Sequence, residues 1–141
     1  MAIRKLFIFM TLVLLMCSPC LAEEKKAEPK IQAEEFLGFI ISGESDKGFD
    51  IIFSGTSMEK HKKQQLELIK NQTKSGLPLY GKLIGKEFIS EKTYGSRVVK
   101  LTYFLYSDLA PITWVFHFYK VDKSWLLYNI VFNDQVQTMD L

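Results

Sequence analysis

The side chains in this chain that could move a proton near neutrality are His61 and His117, and two carboxylates, Asp108 and Asp134, border strand-like segments. Histidines and carboxylates are the residue types of general acid–base chemistry. Tyr103, Trp114, Phe116 and Tyr128 supply aromatic walls with two phenol groups, a constellation able to orient a small apolar ligand. A filled aromatic core would use the same residues. His61 and His117 fall in different predicted elements, with no H-x-x-x-H or D-x-D spacing, so no metal site is expected. Gly81-Lys82-Leu83-Ile84-Gly85-Lys86 alternates along a predicted strand and closes no phosphate loop, and no G-x-S-x-G elbow is present. The sequence assigns no catalytic residue and implies no cofactor. Asp108 and Asp134 read as turn and strand-end residues, and His61 as an exposed helix residue.

The 141 residues, 48% apolar and 24% charged, have the composition of one globular domain. Arg4 and Lys5, the apolar run Leu6 to Met16, and Cys17-Ser18-Pro19-Cys20-Leu21-Ala22 together read as an export signal cleaved after Ala22. An uncleaved anchor is less favoured, because the uncharged run of 17 residues is short for a bilayer span and contains Pro19. A lipoprotein is disfavoured by the bulk of Met16 before Cys17. The expected product is periplasmic or secreted, with no stable membrane insertion. It has 119 residues, 16 basic and 16 acidic side chains and no cysteine. Thiol catalysis and Cys-ligated zinc are thereby excluded for it. Zero net charge also argues against a nucleic-acid partner, so the run Lys60-His61-Lys62-Lys63 reads as a solvated helix face.

Residues 23–30 are charged and contain Pro29, which predicts a flexible tether. A single domain is then expected over 31–134, with 135–141 as a tail. Ile31, Phe36, Leu37, Ile40 and Ile41 make a helical stripe that Gly43 ends. A short helix follows from Asp46, its N-cap, to Phe53, with Phe49, Ile52 and Phe53 inward. Thr56 and Glu59 form a capping box for a long helix running to about Ser75, its apolar face made of Met58, Leu66, Leu68 and Ile69.

From Leu79 the period changes to two. Leu79–Lys92, Ser96–Ser107, Ile112–Val121 and Trp125–Asn133 read as four strands, and the short links between them require an antiparallel meander. Helices followed by strands define an α+β fold, with the N-terminal helices packed on a strongly curved four-stranded sheet. Apolar alternation favours pairing Tyr103 with Trp114, Leu105 with Ile112, Leu101 with Phe116 and Val99 with Phe118. A three-residue link at Asp122-Lys123-Ser124 would then place Trp114 by Phe132, Phe116 by Ile130 and Phe118 by Tyr128. The opposite face carries Lys100, His117 and Asn129 in one row, flanked by Thr102, Val115, Tyr119, Leu127 and Val131. That face is too apolar for free solvent, which predicts a homodimer through the sheet, with His117, Lys100, Asn129 and Tyr119 in the interface.

The helical half and the closing hairpin, Pro111–Lys120 and Ser124–Asp134, resemble the NTF2-like or SnoaL-like cone folds of the cystatin-like group, in particular small secreted bacterial domains of unknown function. The resemblance covers roughly residues 31–134 and concerns packing, so it implies the fold and no single activity. Two readings follow. In the favoured one the chain is a non-catalytic exported domain that binds a small apolar ligand or a protein partner. The alternative is an isomerase- or dehydratase-like enzyme with a pocket carboxylate or histidine beside a tyrosine.

Overall fold

The structure is a computed structural model, and it describes residues 25–135. The predicted export signal lies outside these residues, as does all but the first residue of the predicted tail. Among the described residues, four α-helices precede the sheet: α1 Pro29–Ser42, α2 Ser45–Phe53, α3 Ser57–His61 and α4 Lys63–Gly76. A 3₁₀ turn, Leu77–Tyr80, leads into β1 Leu83–Tyr94, β2 Val98–Ser107, β3 Pro111–Val121 and β4 Ser124–Asn133. The strands lie in the order β1-β2-β3-β4 as an open antiparallel meander, so the α+β layout is as expected. Among the described residues, no helix is long and apolar enough to cross a membrane.

α1 begins at Pro29, whose fixed φ suits a first helical turn, and ends at Gly43 in the left-handed region at φ 81°. Its buried stripe is Gln32, Ala33, Phe36, Leu37 and Ile40, whereas Ile31 is exposed and does not belong to it. Ahead of the helix, Lys26 Nζ donates to the Ile52 carbonyl at 2.9 Å, and Gln32 Nε2 donates to the Ala27 carbonyl at 2.7 Å. Phe49, Ile52 and Phe53 are buried on α2, but its N-cap position is Glu44. Asp46 instead sits in the first turn and pairs with Lys74 of α4.

Thr56 caps α3 by accepting from the Glu59 amide at 3.3 Å, while the Glu59 carboxylate reaches back to the Gly55 amide at 2.6 Å. The long helix predicted from this cap is broken at Lys62 (φ −132°, ψ 40°), inside the basic run. Leu68 is exposed, contrary to the predicted apolar face, and Lys70 and Thr73 are buried in α4. The Lys70 ammonium is held by Asp50 of α2 at 2.6 Å and by Glu67 at 3.0 Å, and so locks the two helices together.

The β2–β3 register is the expected one, with Tyr103 opposite Trp114, Leu105 opposite Ile112, Leu101 opposite Phe116 and Val99 opposite Phe118. The β3–β4 register matches over Trp114–Phe132 and Phe116–Ile130 but not at Phe118, which pairs with Leu127. The link there is the two-residue turn Asp122-Lys123, with Asp122 at φ 52°, and the extra residue is absorbed by a bulge at Tyr128. The bulge resets the alternation of β4. Trp125 and Leu127 face the helices on one side of it, and Ile130 and Phe132 do so on the other. Leu127 is therefore a core residue, not an outer-face one, and Tyr128 stays outside, half-exposed. Two further bulges in β1, after Leu83 and after Phe88, bend the opposite edge of the sheet.

The core joins Phe36, Phe49 and Phe53 from the helices to Tyr103, Trp114, Phe116 and Phe118 from the sheet. Each large apolar side chain so buried contributes roughly 1.5–3 kcal/mol.

Candidate functional site

The inner aromatic cluster is closed. Tyr103, Trp114 and Phe116 are fully buried. Trp114 stacks on Phe132 at 4.7 Å between centroids and meets the edge of Phe36 at 5.5 Å, while Phe88 lies edge-on to Tyr103 at 5.3 Å. Tyr128 is not part of the cluster, because the β4 bulge keeps it on the outer face, 5.8 Å from the His117 ring. The described clefts lie elsewhere. One of about 250 Å³ lies at the lip between the start of α1 and the β1–β2 turn, walled by Val99 and Trp125. A smaller one of about 110 Å³ separates α1 from α2.

One polar corner of the core has no counterpart in the sequence reading. Lys86 lies opposite Leu105 on the helix-facing side of β1, and it reaches Glu34 of α1, 2.6 Å from Oε2 and 2.7 Å from the Glu34 carbonyl. Beside this pair the Tyr103 hydroxyl is buried without a well-formed hydrogen bond. Burial, and then the negative charges of Glu34 and Glu91, push the Tyr103 phenol well above its ordinary value, so it stays protonated. The inward alternation Lys86, Phe88 was the available signal, and following the register one strand further would have found it. A protonated phenol beside a carboxylate could donate to a carbonyl oxygen, but Glu34 is already engaged and no described cleft is lined by Tyr103.

On the outer face, Lys100, His117 and Asn129 lie directly opposite one another on β2, β3 and β4. His117 is half-buried, and its Nδ1 is sequestered without a partner. Burial first, and the Lys100 charge second, lower its pKa below the ordinary 6.5, so the ring is neutral at pH 7. Around this row Tyr119, Tyr128 and Val131 are 42%, 51% and 43% exposed.

The remaining candidates lie apart from both faces. Asp108 clasps the start of β1: its Oδ1 accepts from the Lys82 amide at 2.7 Å, and its own amide donates to the Lys82 carbonyl at 2.9 Å. Asp134 is exposed beyond β4, and His61 is exposed on α3, where Lys60, Lys62 and Lys63 share a polar cleft with it. Among the described residues, no three His, Cys, Asp or Glu side chains are grouped to hold a metal ion.

Fold and faces together define an α+β domain with a filled aromatic interior and a partly apolar outer sheet. Compared with protein-family models, curated proteins and solved structures, the chain matches none.

Proposed function

We propose that this chain is an exported, non-catalytic binding domain of the NTF2-like kind, acting as a homodimer with the outer face of its sheet turned towards the partner. The observation that carries this reading is the grouping of exposed Tyr119, Tyr128 and Val131 around a row made of half-buried Lys100 and His117 and exposed Asn129. Scattered exposed apolar side chains are ordinary, whereas a contiguous group on one sheet face marks a contact surface. The order of helices and meander supports the NTF2-like reading, and the composition of residues 1–22 supports export. A protein partner is favoured over a small apolar ligand, because the aromatic cluster is filled by its own side chains. The lip cleft beside Val99 and Trp125 is where such a ligand would fit.

The phenol of Tyr103 beside Glu34 favours a second reading, an isomerase- or dehydratase-like enzyme. That reading needs substrate access to a hydroxyl with no solvent contact. Native mass spectrometry of the protein recovered from its own compartment tests the first reading. The expected species is a dimer of chains cleaved after Ala22. A ligand-free monomer would overturn the proposal, and a monomer retaining a small polar carbonyl compound would favour the enzyme.

A further inference from the structure

We infer that the cleft at the lip of the sheet binds a small organic cation, an ammonium group carried on a short aromatic or aliphatic body. The inference does not depend on the homodimer reading, because none of the outer-face row Lys100, His117 and Asn129 lines this cleft. Its volume of about 250 Å³ lies just below the roughly 300–1,000 Å³ of drug-sized sites, which suits a smaller molecule. The wall joins buried Val99 and Trp125 to two carboxylates, Glu28 and Glu91.

The second bulge of β1 aims one of these carboxylates. Ahead of it Lys86 and Phe88 face the helices, opposite Leu105 and Tyr103; beyond it Glu91 lies opposite Leu101 and Thr93 opposite Val99. Cross-strand partners share a face, so the bulge turns Glu91 and Thr93 to the helix-facing side, where α1 begins. The Glu91 charge is felt there by the buried Tyr103 phenol. Glu34 meets the same side of the sheet and is neutralised by Lys86 at 2.6 Å, whereas Glu91 makes no ion pair among the described residues. Glu28 occupies the N-cap position of α1 without capping it through its side chain, and it has no ion pair among the described residues either. The wall has one cation, Lys30, whose ammonium lies over the Phe88 ring at 3.9 Å. Lys92 and Arg97 of the adjoining turn do not line the cleft, and Lys92 lies over Tyr94.

Two carboxylates against one lysine leave the wall with an excess negative charge. Beside buried apolar side chains a charge is screened less than on open surface, so it selects for a cation and against an anion. Lys120 already lies over the Trp125 ring at 5.4 Å. The ligand's ammonium therefore belongs with Glu28 and Glu91, and its apolar body packs against Val99 and Trp125.

Chemical-shift titration of the exported chain with 2-phenylethylammonium, 2-phenylethanol and phenylacetate tests this. The ammonium should move the Gly95 amide and Trp125 indole resonances and saturate with a Kd of about 1 mM or below. It should bind at least about fivefold more tightly than the alcohol, and phenylacetate should bind more weakly than either. Glu91→Gln should remove most of this preference, and Glu28→Gln with Glu91→Gln all of it, without moving the thermal unfolding midpoint, since both side chains are exposed. Glu87→Gln, on the same strand but engaged by the Tyr106 hydroxyl, should leave it unchanged. No shift at the cleft up to about 10 mM ligand, an alcohol that binds as tightly as the ammonium, or a preference that survives in the double variant would each overturn the inference. None of these results bears on the dimer, which mass spectrometry reads separately.

Discussion

Glu34 of α1 and Lys86 of β1 are joined twice, through the carboxylate at 2.6 Å and through the Glu34 backbone carbonyl at 2.7 Å. The pair bridges the helix layer and the edge strand, and both side chains keep partial solvent contact. Water and salt therefore screen it. A double-mutant cycle with Glu34→Gln and Lys86→Met, followed by urea unfolding, should give a coupling of about 0.5–1 kcal/mol that shrinks in high salt. A salt-independent coupling above about 2 kcal/mol would mean that the pair is effectively dry.

Tyr103 places a hydroxyl in the core with no well-formed hydrogen bond. Tyr103→Phe should therefore change stability at neutral pH by less than about 1 kcal/mol in either direction. At alkaline pH the two proteins should diverge. The folded pKa is raised above the unfolded value near 10, so the contribution of Tyr103 to stability is full below pH 10 and is lost as pH rises beyond it. Unfolding curves at pH 8 and pH 10.5 check this, with a smaller loss expected for the phenylalanine variant.

His117 has the opposite linkage. Its folded pKa is lowered, so the unfolded chain binds the proton first. Its contribution is full above about pH 6.5 and declines as pH falls from there towards the folded pKa. The groups on neighbouring strands that face it are Lys100 and Asn129, with the Tyr128 ring beside it. The urea midpoint should drop between pH 7 and pH 5.5, and His117→Gln should flatten that drop. An unchanged slope would assign the pH dependence to other groups.

Gly81 adopts φ 84° and ψ −152°, and a side chain there would collide with the Asp108 carboxylate. Gly81→Ala thus incurs backbone strain and also disturbs the clasp on Lys82, with an expected loss of about 2–3 kcal/mol in thermal or chemical unfolding. Asp108→Asn, which keeps an acceptor for the Lys82 amide, should lose less.

The aromatic cluster gives the largest contrast between neighbouring candidates. Phe116→Ala should cost about 3–5 kcal/mol, because it opens a cavity in a fully packed layer. Tyr128→Ala, half-exposed on the outer face, should cost less than about 1 kcal/mol of monomer stability. Denaturant titration at low protein concentration separates this effect from any change in association.

The legible parts of this fold were those governed by a single period. Alternating apolar residues fixed the pairing of β2 with β3, where Tyr103, Leu101 and Leu105 all had to face one side. β4 resisted the same logic because its inward residues are odd-numbered before Tyr128 and even-numbered after it. Only a bulge reconciles the two halves, and a bulge leaves no residue signature here. The break at Lys62 was hidden because the capping box and the stop at Gly76 frame one continuous helix. The Glu34–Lys86 contact joins residues far apart in the chain, and a partly exposed pair of this kind is a property of the packing between layers.

Lys26 reaches the last carbonyls of α2, and Gln32 holds the backbone at Ala27. The folded body therefore starts five residues before the helical pattern becomes visible at Ile31, so a stretch that would span about 17 Å if extended is held against the helices. The described chain thus enters the fold beside the C-terminal end of α2.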